Sequence, residues 1–312
     1  MAKKNAKKMN QDDFKIDFIG VGAPKCGTSW TAKCLREHPQ ICLSNNKELD
    51  FFNKFRPFYR KDEEWKYTKG IDEYKKNFRH CKPGNIIGEF SVYYLFDKDT
   101  PKLIKKHFPE TKIIAILRNP TDRLYSHYLH AKGNYEKKYE KKFFSFDHFL
   151  NNDEIISTGF YMKHINNYLN FFDKDKILLL LHDDLKVNPE KFIKRIYIFL
   201  DVDKNFTPSL LNYVPNPTWK KNNKTLKTYQ KIKNNLMQSS IKKRVMPIIK
   251  NNTVNNLALN TLKFCDRSVH SITSLQKRPQ LSPKYRKIIN DIYREENKKL
   301  EKFLNRKLNW DN

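Results

Sequence analysis

Three short apolar runs stand out along the chain, and each is followed by a turn and a helical pattern. They are "DFIGVG" at 17–22, "KIIAILRNP" at 112–120 and "KILLLLHDDL" at 176–185. Nearly continuous apolar runs are typical of strands buried on both faces, whereas a strand with one face in water alternates apolar and polar residues. The pattern therefore predicts three buried strands of a parallel sheet.

Helical spacing of apolar residues follows each predicted strand. The predicted helices cover 29–39, 121–133 and 188–202, and a fourth covers 282–304 near the carboxyl end. Thr121 is the predicted N-cap of the second helix, because threonine side chains accept hydrogen bonds from first-turn amides. Alternating strands and helices predict an α/β fold with a central parallel sheet flanked by helices.

Two stretches depart from this alternation. Residues 1–13 are basic and polar and predict a disordered tail, so we expect a single domain over 14–312. Within that domain, 204–277 contains asparagine-rich clusters around amphipathic segments. We interpret 204–277 as a mainly helical insertion near the acceptor site.

The charge balance predicts an anionic partner. The chain has 62 lysines and arginines against 34 acidic residues, a formal net charge of +28. Such a charge favours nucleotides, acidic polymers or anionic surfaces. Much of the excess is lysine scattered among asparagines, which is common on solvated surfaces, so we do not expect specific nucleic-acid binding. No pattern predicts an oligomeric state.

The five cysteines predict free thiols rather than a disulfide framework or a metal site. Their number is odd, and no CxxC or histidine-paired spacing occurs among them. The amino terminus has no apolar segment of the secretory type, and no apolar run is long enough for a transmembrane segment. The sequence therefore predicts a cytoplasmic protein in a reducing compartment. The cysteines are Cys26, Cys34, Cys42, Cys81 and Cys265.

The stretch "GAPKCGTSW" at 22–30 follows the first predicted strand directly. A strand, a glycine loop and a helix form an anion site, because loop amides and the positive end of the helix dipole meet there. Gly22 and Gly27 allow a close approach of the backbone, and Lys25 adds a full positive charge. A tight structural turn is the alternative interpretation.

This loop lacks the lysine of a nucleoside-triphosphate loop. That motif places lysine directly after its second glycine, where this chain has Thr28. The missing lysine disfavours a P-loop kinase. One earlier lysine suits a single phosphate together with one transferring group.

In this feature the stretch resembles the 5′-phosphosulfate loop of sulfotransferases that use 3′-phosphoadenosine 5′-phosphosulfate (PAPS). A second segment, "LRNPTDRLYSHY", resembles the family's 3′-phosphate motif, with an arginine at a strand end and a serine eight residues later. The corresponding residues are Arg118 and Ser126. For Arg123, a surface ion pair and a phosphate contact both remain open.

Further segments resemble the carbohydrate branch of that family, which includes heparan sulfate and bacterial enzymes. "NKELDFF" carries Glu48 where the branch has its catalytic base. "GEFSVYYL" resembles the substrate-side segment, "GFYMKHINNYLNFF" the helix near the nucleotide, and "KRPQLSPKYRKI" the basic closing loop. Phe90 replaces a lysine found in several heparan-type enzymes, which puts heparan-like specificity in question.

The resemblance implies the P-loop nucleotide-kinase-like fold of sulfotransferases. It also implies transfer of a sulfuryl group from PAPS to a hydroxyl of a carbohydrate or small hydroxylated metabolite, by in-line attack and without a metal. The implied catalytic residues are Lys25 and Glu48, and Lys47 and Glu89 are candidate substrate contacts. The implied cofactor contacts are Lys25, Cys26, Gly27, Thr28, Ser29, Trp30, Arg118, Ser126, Tyr161, Lys277 and Arg278.

Several alternatives remain open at this point. Glu48 is either the catalytic base or a surface acid paired with Lys47, and Glu89 is the other candidate base. The aromatic ring of Trp30 packs either on adenine or in the core. The whole chain is an enzyme, a basic binding protein for acidic polymers or nucleic acid without turnover, or a P-loop kinase.

Overall fold

The computed structural model describes residues 14–211 and 279–310. Five parallel strands form one sheet in the order β2-β3-β1-β4-β5. This confirms the predicted central parallel sheet flanked by helices. The strands are β1 (Phe18–Gly22), β2 (Ile41–Leu43), β3 (Ile86–Phe90), β4 (Lys112–Leu117) and β5 (Ile177–Leu181).

Ten α-helices lie within the described residues, together with short 3₁₀ turns. They are α1 (Thr28–Glu37), α2 (Ile71–Lys75), α3 (Thr100–His107), α4 (Pro120–Tyr139), α5 (Phe146–Leu150), α6 (Asp153–Ser157), α7 (Tyr161–Leu169), α8 (His182–Val187), α9 (Pro189–Phe199) and α10 (Pro283–Leu304). In this part of the chain no helix is both long and apolar enough to cross a membrane.

Strand order brings the functional segments to one edge of the sheet. β1 lies in the centre, between β3 and β4. The chain leaves β1 for β2 on one side, and after β3 it crosses β1 to form β4 on the other side. Ligands of such sheets bind at this switch point, beyond the carboxyl ends of the strands. The loop after β1, the end of β3 and the end of β4 therefore meet there.

The core explains why the strands were predictable. Every residue of β1 is buried, and so are five of the six residues of β4. Side chains of α1 and α9 cover the sheet, and a second apolar cluster joins α4 to α10. A strand buried on both faces requires the continuous apolar runs seen in the sequence.

Several predicted boundaries are wrong, and the helix predicted at 121–133 extends to Tyr139. The predicted strand 176–185 ends at Leu181, and its last residues form α8, which begins with Asp183 and Asp184 in the first turn, where acidic residues complement the helix dipole. The N-cap of α4 is Asn119, not Thr121, and its side chain accepts from the Thr121 and Asp122 amides. Pro120 then occupies the first helical position, where proline costs no hydrogen bond.

Other predicted features fall wholly or largely outside the described residues. The tail 1–13 lies outside them, as does most of the insertion 204–277. The part of the insertion that is described, 204–211, contains no helix or strand. The N-cap of α10 is Ser282, whose side chain accepts from the Tyr285 amide, so this predicted helix start is confirmed.

Candidate active site

The loop after β1 has the geometry of an anion site. Lys25 and Gly27 both adopt positive φ angles, 69° and 91°, so the backbone turns sharply into α1. Gly27 is the N-cap and has no side chain to bond the first-turn amides, and no acidic residue occupies that turn. The first turn of α1 therefore carries no acidic side chain that would neutralise the positive end of the helix.

Glycine is required at Gly27 for space as well as conformation. A Cβ atom there would lie 2.6 Å from Leu185 Cδ2 in α8. At Gly22 a Cβ atom would lie 2.7 Å from the Val92 carbonyl oxygen. The loop is thus held tightly between α8 on one side and the segment after β3 on the other.

Arg118 connects the end of β4 to this loop. Its Nη1 donates to the Lys25 carbonyl oxygen at 3.2 Å, and Nη2 lies 3.8 Å from Asp122 Oδ2. Its Nε is buried and has no hydrogen-bond partner within the described residues. The structure therefore brings the Arg118 guanidinium against the backbone of the loop that carries Lys25.

Three predicted cofactor contacts are enclosed by protein. Tyr161 is buried, and its hydroxyl donates to the Arg118 carbonyl oxygen at 2.7 Å, so it holds the backbone of Arg118. The Trp30 ring packs on Phe192, and its Nε1 donates to the Leu210 carbonyl oxygen, so the ring belongs to the core. Cys26 is buried, which raises the pKa of its thiol to about 12.

The remaining predicted contacts divide into two groups. Thr28 and Ser29 begin α1 in the anion loop, and Ser126 is buried on α4, two turns beyond Arg118. Lys277 and Arg278 lie outside the described residues. Their cofactor roles stay predictions.

Glu48 and the loop after β1 both contact Val92. Its Oε2 accepts from the Val92 amide at 2.8 Å, and Val92 is the residue whose carbonyl faces Gly22. Its Oε1 forms an ion pair with Lys47. The Glu48 side chain is 34% exposed, so it is accessible to an acceptor. The backbone φ angle of Glu48 is 63°, in the left-handed region that non-glycine residues rarely adopt.

Glu89 occupies a different position from Glu48. It is completely buried, and three hydroxyl groups donate to its carboxylate: Tyr74 and Tyr94 to Oε1 at 3.0 Å each, and Ser91 to Oε2 at 2.7 Å. Burial raises its pKa to about 7. With both oxygens occupied by protein, the geometry favours a positioning role over contact with an acceptor.

The same hydroxyl groups hold the segment that follows Glu48. Ser91 Oγ accepts from the Asp50 amide at 3.0 Å, and the Tyr94 hydroxyl oxygen accepts from the Phe51 amide at 2.9 Å. Glu89 orients both hydroxyls by accepting a hydrogen bond from each. It therefore fixes the backbone that carries Glu48.

We expect Glu89→Gln to change how stability depends on pH. The pKa of Glu89 is raised from 4.5 to about 7, so its contribution to stability is complete below about pH 4.5 and is lost as pH rises through 7. The free energy of unfolding of the wild type should fall by about 3 kcal/mol relative to the variant between pH 4.5 and 8. Urea unfolding at both pH values measures this difference. Glu110→Gln, on the exposed surface, is the control, and an equal difference at both pH values would contradict the assignment.

Sequence reasoning missed a buried histidine near the loop. His127 Nε2 lies 2.5 Å from the Tyr59 hydroxyl and 3.2 Å from the Tyr93 hydroxyl. Burial, followed by the charge of Arg123, holds the pKa of His127 well below its usual range, so the ring is neutral. His127 directly follows Ser126 in α4. Its position beside the predicted phosphate contact is the feature of the sequence that could have identified it.

Arg123 is also buried, so the surface ion pair that the sequence left open is excluded. Its Nη2 donates to Thr158 Oγ1 at 2.6 Å, and its guanidinium lies 5.6 Å from the Phe96 ring centroid. Cation–π contacts of this kind stabilise a guanidinium removed from water. Arg123 is therefore a buried residue that packs against Thr158 and Phe96.

The predicted free thiols are corrected at two positions. Cys42 in β2 and Cys81 form a disulfide, with their Cα atoms 5.7 Å apart. The disulfide links β2 to the segment that precedes β3, the strand that pairs with β2. Cys26 and Cys34 are free and buried.

The family model and the similar proteins all point to sulfotransferases. The sulfotransferase domain model matches residues 15–303, nearly the whole chain. Bifunctional heparan sulfate N-deacetylase/N-sulfotransferase 3 of Mus musculus is 28% identical over 208 residues, covering 62% of this chain and 23% of that protein. Heparan sulfate glucosamine 3-O-sulfotransferase 5 of Mus musculus is 26% identical over 204 residues, covering 62% and 55%. The chain thus spans between about a quarter and about half of these relatives.

A solved structure supports the fold. The crystal structure of a sulfotransferase from Alicyclobacillus acidocaldarius has a TM-score of 0.64 at 21% identity, covering 96% of this chain and 100% of that one. The predicted P-loop-like sulfotransferase fold is therefore confirmed.

The predicted cytoplasmic location is wrong. A relative from Dictyostelium discoideum, 28% identical over 150 residues that cover 46% of this chain and 29% of that protein, is named membrane-associated sulfotransferase kil1. The other relatives named above are heparan sulfate sulfotransferases. The Cys42–Cys81 disulfide also argues against a reducing compartment, where such bonds are rare.

The anion loop after β1, the arginine at the end of β4 and the shared fold agree with the match over residues 15–303. The chain belongs to the sulfotransferase domain family.

Proposed function

We propose that the chain transfers a sulfuryl group from PAPS to a hydroxyl of a carbohydrate. The contact between Arg118 and the Lys25 carbonyl carries the proposal, because it joins the two segments expected to bind the two ends of the cofactor. The names of the heparan sulfate relatives support a carbohydrate acceptor.

The residues present fit such a cofactor. Lys25 and the first-turn amides of α1 would hold the 5′-phosphosulfate, and Arg118 with Ser126 would hold the 3′-phosphate. The buried Arg118 Nε, without a partner in the described part of the chain, supports an anionic ligand at this position. A buried donor left unpaired is costly, so a ligand that pairs with it is favoured.

PAPS, when bound, supplies the sulfuryl group and the bisphosphate leaving group. Lys25 stabilises the negative charge that develops on the leaving oxygen. Glu48 accepts the proton of the attacking hydroxyl through Oε1, while the Val92 amide fixes Oε2. Lys47, the ion-pair partner of Glu48, would contact the sulfuryl group or the acceptor.

Transfer of radiolabelled sulfate from PAPS to oligosaccharides tests this function. One acceptor has free amines and hydroxyls, and in a second the amines are acetylated. We expect label in both with the wild type and none with Lys25→Met, whereas Lys33→Met, at an exposed position on α1, keeps activity. Label only in the free-amine acceptor would overturn the hydroxyl assignment. No label in any sugar would overturn the acceptor class.

A further inference from the structure

We propose that Cys42, His80 and Cys81 form a two-state crosslink: a disulfide when oxidised and a zinc-class metal site when reduced. Sulfuryl transfer uses none of these three residues. The first signal is their convergence, since one ligand atom of each lies within 4.8 Å of the other two. The cysteines are 39 residues apart, and no metal-ligand spacing in the sequence connects them.

The spacing of sulfur and nitrogen already suits a metal ion. Cys42 Sγ lies 3.4 Å from His80 Nε2, and the same nitrogen lies 3.1 Å from the Leu43 carbonyl oxygen, a contact that the metal would replace. A tetrahedral zinc ion with Zn–S of about 2.3 Å and Zn–N of about 2.0 Å holds these two atoms about 3.5 Å apart. His80 is exposed and gives an ion access, while both cysteines are buried. Thiolate and imidazole are the donors that zinc prefers.

The change of state balances chemically. A phosphine reductant transfers two electrons to the sulfur–sulfur bond, takes oxygen from water to become the phosphine oxide, and leaves two thiols. A divalent ion then displaces the two thiol protons and binds both thiolates and the neutral imidazole of His80. Water completes the fourth position. The disulfide and the metal exclude each other, because both use the same sulfur atoms.

The position of the crosslink explains what it would stabilise. β2 is a three-residue strand at the edge of the sheet, paired only with β3. The segment after β2 leads to Lys47 and Glu48. On the other side, Cys81 follows the turn after α2, the helix whose Tyr74 donates to Glu89. Either crosslink therefore ties together two segments that position Glu48.

Cobalt(II) titration of the whole chain tests the proposal, in a Cys265→Ser background that removes the one thiol outside the described residues. After reduction by the phosphine, we expect one Co²⁺ per chain with the sulfur-to-cobalt absorption of two thiolates. The oxidised protein should show none. Zinc(II) should displace the cobalt and raise the melting temperature of the reduced protein toward that of the oxidised protein.

Variants identify the ligands. His80→Gln should weaken Co²⁺ binding by about tenfold or more, whereas His148→Gln, at an exposed histidine on α5, should leave binding unchanged. Cys42→Ser should remove the two-thiolate absorption. If Cys42→Ser does not fold, Cys81→Ser is used for the same test. Equal absorption of the reduced and oxidised proteins would overturn the site. So would undiminished binding by His80→Gln, or a two-thiolate band that persists without Cys42.

Discussion

Glu48→Gln is expected to lower kcat by about 10²–10⁴-fold, the range of a lost general base. Glutamine keeps an oxygen for the Val92 amide, so the segment stays in place while the proton acceptor is removed. The KM for PAPS should change little, because Glu48 faces the acceptor rather than the nucleotide. Steady-state rates at saturating donor and acceptor measure this effect.

Two other variants separate catalysis from a surface ion pair. Glu64→Gln, at an acid that is 81% exposed, should keep wild-type rates. Lys47→Met removes the partner of Glu48 but leaves its carboxylate. If Glu48 were only a surface acid paired with Lys47, both Glu48→Gln and Lys47→Met would have the same small effect. That outcome would remove Glu48 from the mechanism.

Arg118→Ala is expected to weaken binding of 3′-phosphoadenosine 5′-phosphate by about 10²-fold or more, because hydrogen bonds to charged groups contribute about 1.5–3 kcal/mol each. The variant also removes the donor to the Lys25 carbonyl and so loosens the loop. Calorimetric titration measures the change in Kd.

Arg118→Lys and Arg294→Ala refine this prediction. Lysine keeps the charge but lacks the planar fork, so it should recover only part of the affinity. Arg294 is half-exposed on α10, forms an ion pair with Asp291 and serves as the matched control. Equal binding by wild type and Arg118→Ala would exclude Arg118 as a phosphate ligand.

Pattern and spacing predicted the centre of the fold because buried strands and helix caps leave signals in neighbouring residues of the sequence. β1 and β4 are buried strands with continuous apolar runs, and Ser282 begins α10 as a conventional cap. β5 has the same kind of run but lies at the sheet edge, and only Leu180 and Leu181 are buried, so its predicted burial is only partly correct. β2 escaped prediction because three residues carry no detectable period. The predicted strand 176–185 was too long because the chain turns out of the sheet at Leu181, where the polar residues His182, Asp183 and Asp184 begin α8.

The candidate site was predictable where a motif carried it and not where the fold assembled it. Lys25 and Arg118 each follow a recognisable strand, and the structure joins them. Glu89 is a candidate substrate contact in the sequence, yet it is enclosed by Tyr74 of α2 and Tyr94 of the turn after β3, a convergence that no local pattern reveals. The Cys42–Cys81 disulfide likewise joins residues 39 positions apart in the chain, which no local pattern pairs.

The central claim is that the loop and Arg118 bind a nucleotide with a 3′-phosphate. Calorimetric titration of the wild type with 3′-phosphoadenosine 5′-phosphate and with ATP tests it most directly. We expect one-site binding of the bisphosphate and affinity for ATP that is lower by at least about tenfold, or about 1.4 kcal/mol. Equal or tighter binding of ATP would contradict the 3′-phosphate assignment of Arg118 and Ser126, and with it the proposed donor.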